Sequence, residues 1–484
     1  MRRRYDVLII GAGVVGSAIA RELTRYRLDI CVLEKNADVC CGVSGRNTGL
    51  LHAGFLYPKG SLKTRFTLEG NRGFDQLAKE LDIPFKRTGK LTVGHTPQEY
   101  DRLLSLKARG EENGVTGLEM IDKAQLRQID PHVKGEFALY SKTSGLLNPY
   151  LYTIALAENA KQNGGEFIFD CEVLSAGQAS GGDHCLNTTK GEFCGRWVIN
   201  AAGLHSAAVA AMLKVPDFQL KWIKGEYILL DKKAGAHLSL PVYPAPDEND
   251  VYDIHITPTL DGNVLIGPTC DEVVEEADFD TSRAGLDQLL QKGGLLFDGM
   301  RPGWQIRNFS GIFSRPVDPK TGAELDFQID YRDTVPRVIQ VVGITSPGLT
   351  CSYPIARYVA GIFLRQETPG INRDFHPIRK GITPFAEQDD ETRSRLVALD
   401  PDYGEIVCRC EQITRGEILK AIHNPLGVCS VNGIKYRTRA SMGRCQGGYC
   451  ETRITEMIRK ETGAAVTDVR LDGPESYMFT GKVR

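Results

Sequence analysis

Nothing in this 484-residue chain approaches the roughly 18 to 20 consecutive apolar residues that a membrane-spanning helix needs, so no direct membrane span is expected. An excess of one charge is also missing. The 59 Lys and Arg stand against 61 Asp and Glu, a formal net charge of -2, which excludes a global field for nucleic acid or an acidic membrane. No internal repeat is found, so a repeat architecture is set aside. A secreted cystine framework is lacking too: the 13 cysteines are odd in number and mostly scattered singly. The expected compartment is therefore the cytoplasm, with membrane attachment only through a partner protein. Cys31, Cys171, Cys185, Cys194, Cys270 and Cys351 read as small buried hydrophobes. Cys40 and Cys41 read the same way, with a reactive role as the alternative.

What is present is 42% hydrophobic residues, ample for large cores, and a strong opening motif. The apolar run Val7 to Ile10 turns through Gly11, Gly13 and Gly16, continues as a helical pattern to about Tyr26, and closes on Ile30 to Glu34. This is a β-α-β unit with a dinucleotide loop. Gly11 lets the chain leave the strand sharply, Gly13 leaves room for a pyrophosphate, and Gly16 lets helix and strand pack closely. The helix N-terminus offers free N–H groups and a partial positive charge to phosphates. Glu34 accepts hydrogen bonds from ribose hydroxyls and repels a 2′-phosphate, which favours FAD or NAD over NADP.

Residues 42–54 hold four glycines among small polar residues, a loop suited to lie against a flat ligand. Helical patterns follow over 63–81 and 97–113, with a strand at 90–93 between them. A helix is predicted from Asn148-Pro149 to about 162, and strands over 166–173 and 196–203. From 220 to 268 the pattern changes to β-rich runs, at 226–230, 251–256 and 263–267, with Asp261-Gly262 as a hairpin turn. A helix near 282–296, a strand at 312–316, and a strand at 338–343 followed by a helix over 354–364 complete this region. The fold class is α/β: a Rossmann-like nucleotide domain (1–85, 145–215, 300–368), an inserted antiparallel α+β substrate domain (86–144, 216–299), a linker (369–404) and a small C-terminal domain (405–484).

That last domain holds the cysteine cluster. Cys408 and Cys410 form a C-x-C pair, Cys445 and Cys450 a C-x4-C pair, with 34 residues between the pairs. Four thiolates so paired suit zinc or an iron-sulfur centre, and the single-residue spacing counts against zinc. Arg437, Arg439 and Arg444 would offset cluster charge, and Cys429 reads as packing.

Residues 407–411 and 437–450 resemble the bacterioferritin-associated ferredoxin-like domain, which implies a 2Fe-2S cluster on these four cysteines. Residues 44–54 and 57–63 resemble the D-amino-acid-oxidase-type flavoproteins. Within them, residues 243–246 and 261–268 are similar to L-2-hydroxyglutarate oxidases, and the joined cluster domain is similar to the flavoprotein component of the anaerobic glycerol-3-phosphate dehydrogenases. The resemblance implies FAD, held by Gly11, Gly13, Gly16, Glu34, Arg46, Asn47, Gly49, Leu51, Gly203, Gly343, Gly348, Leu349 and Thr350. It also implies oxidation of a small anionic secondary alcohol, with electrons leaving through FAD and the 2Fe-2S cluster to an acceptor protein or second oxidoreductase subunit.

Such an oxidation needs a proton acceptor, for which His255 and His52 are the candidates, His255 because it shares a strand face with Asp253. An anionic substrate needs a cation, for which Arg315 is the first candidate, followed by Lys63 and Lys224. Tyr227 is a hydrogen-bond candidate. Glycerol 3-phosphate leads. A 2-hydroxy acid of the 2-hydroxyglutarate type and an electron-transfer protein without its own small substrate are the alternatives.

Overall fold

A computed structural model describes residues 4–179, 181–215, 218–249, 251–298 and 300–481. The expected domain boundaries at 216 and 299, and the two chain ends, lie outside the described residues. The core is a sheet of five parallel strands in the order Val338–Val342, Gly191–Asn200, β1 (Arg4–Ile10), β2 (Ile30–Leu33) and Glu166–Ile168. The edge strand Gln328–Tyr331 runs antiparallel to the first of these. Helices α1 (Val14–Leu23), Pro149–Gln162 and Gly348–Gln366 bury one face of this sheet. Parallel strands covered on both faces read as continuous apolar runs, which is why β1 and β2 are so plain in the sequence.

Two expected elements differ in extent. The strand expected over 166–173 divides at Asp170, which has φ 51°, and the chain resumes as Val173–Gln178 in an antiparallel extension of the sheet. The helix expected from 354 begins at Gly348, with Pro354 inside it. Proline there removes the donor to the Thr350 carbonyl. Gly70 packs against that carbonyl, where a Cβ would come within 2.0 Å.

The second sheet has nine strands and roofs the first domain. Its middle runs in the order Gln219–Leu230, Val264–Gly267, His255–Pro258, Val242–Pro244, Lys90–Gly94, Phe137–Ser141. All neighbours are antiparallel except Val242–Pro244 with Lys90–Gly94, the parallel pair that stitches the two inserted segments together. The sequence assigns residues from 300 onward to the nucleotide domain. Instead, Gln305–Val317 pairs along Gln219–Leu230 and belongs to the roof.

Residues 367–404 wrap the first domain rather than cross open solvent. Within this segment, Arg379 is buried against Glu158 at 2.6 Å, and Asn372 donates to the Thr24 carbonyl at 3.0 Å. The C-terminal domain has its own apolar core, built on helices Arg415–Ile422, Val431–Thr438 and Glu451–Thr462. Arg437 docks it by a buried bidentate pair to Asp38, at 2.6 and 3.1 Å, and Tyr436 stacks on Tyr150 with ring centroids 4.3 Å apart. Arg439 bonds both Asp261, at the tip of a roof hairpin, and Glu411.

Cysteine chemistry departs from expectation at three positions. Cys185 and Cys194 face each other across an antiparallel pair and form a disulfide of 2.04 Å, and Cys270 is exposed.

Candidate active site and cluster site

One cavity of about 1260 Å³ runs from the glycine loop, between the two sheets, to the roof. That exceeds the roughly 300–1,000 Å³ of a typical small-ligand pocket and leaves room for an extended dinucleotide with a small substrate. At its nucleotide end Gly11 has φ 102°, and a Cβ there would meet the Ala201 carbonyl at 2.6 Å. A Cβ on Gly16 would lie 1.9 Å from the Gly11 carbonyl, so Gly16 fixes the helix against the turn from behind the wall. Gly13 caps α1 without a side-chain hydrogen bond. Glu34 accepts from the Ala12 N–H at 2.7 Å and from Asn36 at 2.9 and 2.8 Å. Burial pushes its carboxyl above the usual range, and these donors oppose the shift. A bare glycine cradle ending on a buried carboxylate fits the dinucleotide that the motif implies.

The loop after β2 is held by its own side chains. Asn47 donates to the Val43 and Ser44 carbonyls and accepts from the Gly49 N–H, so it shapes the loop beside the cavity. Arg46 donates to the Ser310 carbonyl at 2.8 Å and lies over the Phe279 ring, which ties the loop to the roof. Gly203, Gly348 and Leu349 line the cavity with Gly11, Gly13, Glu34, Arg46 and Asn47. Gly49, Leu51, Gly343 and Thr350 stand behind its wall. Thr350 accepts the His52 N–H at 3.0 Å, and a Cβ on Gly343 would strike Pro316 at 2.6 Å.

His52 and His255 both face the cavity, His255 buried and His52 half-buried. Burial, reinforced by the nearby Lys90 charge, pulls each imidazole down from 6.5 to about 3. Each ring is uncharged at neutral pH. His255 stacks on Tyr243 at 3.7 Å, and its Nε2 has no hydrogen-bond partner. The expected help from Asp253 is absent: the strand begins at His255, and the Asp253 carboxylate turns to Lys292 at 2.6 and 2.9 Å. Only the Asp253 backbone carbonyl approaches the ring, at 3.4 Å.

Arg315 and Lys63 line the cavity and converge on one carboxylate, Glu324, at 3.2 and 2.8 Å. Lys224 is not on the wall; it pairs with Asp278 at 2.7 Å. Tyr227 lines the cavity and stacks on Phe309. The sequence pattern gives no warning of three residues here. Lys90, behind the wall, looks like an ordinary strand charge, Glu324 lines the cavity from a hairpin loop, and Asp472 reaches it from the C-terminal domain.

In that domain Cys408 and Cys450 are buried and share a thiol hydrogen bond, while Cys410 is exposed and faces Cys445. Backbone N–H groups of Ser441 and Glu411 point at the Cys408 sulfur. Sharing with Cys408 draws the Cys450 thiol down to about 6. Gly443 lies so close that a Cβ would meet Cys410 Cβ at 2.3 Å, and Ser441, Gln446 and Gly447 all have positive φ. Four sulfurs on tight backbone curls with N–H donors aimed at them fit a thiolate-bound cluster. Among the described residues, the group of three potential ligands that lie within 4.8 Å of one another is Cys185, Glu192 and Cys194, whose thiols are already joined.

Comparison with known proteins agrees with this geometry. A family model described as FAD dependent oxidoreductase matches residues 6–362, and one described as a BFD-like 2Fe-2S binding domain matches residues 406–460. A glycerol 3-phosphate dehydrogenase of Caloramator mitchellensis is 35% identical over 99% of both chains. An L-2-hydroxyglutarate dehydrogenase of Escherichia coli K12 is 27% identical, covering 76% of this chain and 96% of its own. The FAD-bound L-alpha-glycerophosphate oxidase of Mycoplasma pneumoniae superposes with a TM-score of 0.72 at 26% identity, covering 78% of this chain and 98% of its own.

Proposed function

The chain belongs to the FAD dependent oxidoreductase family and carries a BFD-like 2Fe-2S domain, and from that premise we propose that it oxidises glycerol 3-phosphate to dihydroxyacetone phosphate and delivers the electrons to an acceptor protein. The reading rests on one observation above all: a single cavity is lined by an uncharged imidazole whose Nε2 has no hydrogen-bond partner and by two cations, Lys63 and Arg315, that already hold a carboxylate. A small alcohol with a doubly charged anionic end suits such a pair of cations. The relative that is similar over 99% of both chains, cluster domain included, is named for glycerol 3-phosphate.

FAD supplies the hydride acceptor when bound, and the cluster a one-electron site. Gly11, Gly13 and Glu34 would hold the dinucleotide, and the four cysteines the cluster. His255 Nε2 takes the hydroxyl proton. Lys63 and Arg315 fix the anionic end, so that the carbinol carbon is held at one distance from the roof. Walls built from Tyr57, Tyr227 and Tyr243 keep bulk water from the reacting carbon.

A 2-hydroxy acid is the second reading, favoured by the hydroxyglutarate relatives, since a carboxylate also suits Arg315. Anaerobic titration with each compound separates the two. Bleaching of the flavin band near about 450 nm by glycerol 3-phosphate and not by L-2-hydroxyglutarate is the expected result. The reverse pattern installs the hydroxy acid. Bleaching by neither favours a protein that only relays electrons.

A further inference from the structure

Lys90 is 2% exposed, yet no carboxylate accompanies it. Burial alone accounts for the fall of its ammonium to about 7. Its Nζ sits instead among three rings, 4.2 Å from the centroid of Tyr243, 4.6 Å from Phe55 and 4.8 Å from Tyr252. An aromatic box is a recognised seat for a desolvated cation. The register of the roof says what lies beyond it. Thr92 stands opposite Tyr243, and Lys90, two residues away, shares that face of the sheet. Val242 pairs with Ile256, which brings Tyr243 against His255 on the next strand. The strand order therefore makes a row of Lys90, Tyr243 and His255, with the phenol ring between ammonium and imidazole. Lys90 does not reach the cavity; His255 and Tyr243 do.

We propose that Lys90 is a positioning residue for proton transfer: its ammonium, boxed behind Tyr243, anchors that ring as the platform on which His255 stacks and keeps the imidazole free of a proton, so that Nε2 stays open to the substrate hydroxyl. This rests on the reading of His255 as the base. The other charged or titratable groups around the imidazole are few. They are His52 from the loop after β2, Tyr243 on the neighbouring strand, and Asp253 on its own segment. The Asp253 carboxylate is occupied by Lys292 of the helix Arg283–Leu296. Lys90 is thus the positive charge that adds to the effect of burial on this imidazole. Because it is charged in both the folded and unfolded chain below its own titration, it adds no pH dependence of its own in the acid range.

The test uses the holoenzyme with both cofactors bound and the variants Lys90→Met, Lys90→Arg and His255→Asn. Two quantities are read: the acid limb of anaerobic flavin reduction by substrate, and the dependence of unfolding free energy on pH below 6.5. With Lys90→Met the acid limb moves up by about one pH unit, as expected for a lost cation two layers away. The acid loss of stability also becomes shallower at the low end of this range, since both imidazoles then accept protons in the folded state about one pH unit higher. Lys90→Arg keeps both curves at their wild-type positions. A Lys90→Met protein with full FAD content whose limb and slope both superimpose on the wild type overturns the proposal. A merely structural lysine would lower stability equally at all pH values and leave the limb in place, which also overturns it. Should Lys90→Met fail to hold FAD, Lys90→Arg decides: a displaced limb there refutes the role of the charge. If His255→Asn leaves flavin reduction unchanged, the base assignment fails, and the stability slope still reports whether Lys90 governs the imidazole.

Discussion

The two redox sites of this chain are opposites in exposure. The cavity lies between two sheets, with His255 buried, His52 half-buried and both uncharged, whereas the cluster site keeps Cys408 and Cys450 inside and turns Cys410 to solvent. The contrast follows from the chemistry. A hydride and a proton leave one carbon and one oxygen together, which requires fixed positions and little water. A single electron needs only a nearby acceptor, and an exposed cluster edge lets a second protein come close.

The largest effect should come from removing one site while sparing the other. Cys450→Ser is expected to abolish the 2Fe-2S absorbance and the bound iron, while substrate still bleaches the flavin at close to the wild-type rate. Loss of both signals together would mean that the two sites do not function separately. Next is the join between them. Arg437→Met leaves Asp38 buried without its partner, at a cost of about 3–5 kcal/mol. Differential scanning calorimetry should then show the C-terminal domain melting first, and a single unshifted transition would refute the pair as the clamp.

The smallest effect concerns acid. Between pH 6.5 and about 3 the unfolded chain takes up protons that folded His52 and His255 refuse. Stability therefore falls as pH falls through that window, and rises again with pH. Replacing both histidines by glutamine should flatten this dependence in urea titrations, leaving the cluster spectrum unaltered.

How much of this was legible depended on how locally each site is encoded. Gly11, Gly13, Gly16 and Glu34 lie within one β-α-β unit, and the four cysteines within 43 residues, so their spacing is the site. The acid-base wall is different. His255, Tyr243 and Lys90 meet through strand register, which no local pattern states. The expectation for Asp253 failed for a related reason: alternation assumes an extended chain, and the residues before His255 are irregular. Pro354 misled in the same way, since proline marks a helix start only where no neighbour such as Gly70 accommodates the freed carbonyl. The roof strand Gln305–Val317 was hidden because a strand's sheet is chosen by its partner and not by its own composition.

Asp472 and Gly473 line the same cavity as Gly11 and Gly13. During synthesis the glycine loop emerges from the ribosome early, but the compartment it belongs to has a missing side until residues past 470 are made and docked. A flavin that binds the nascent chain therefore meets a trough without this side, and one that binds the finished protein meets a trough with the side in place.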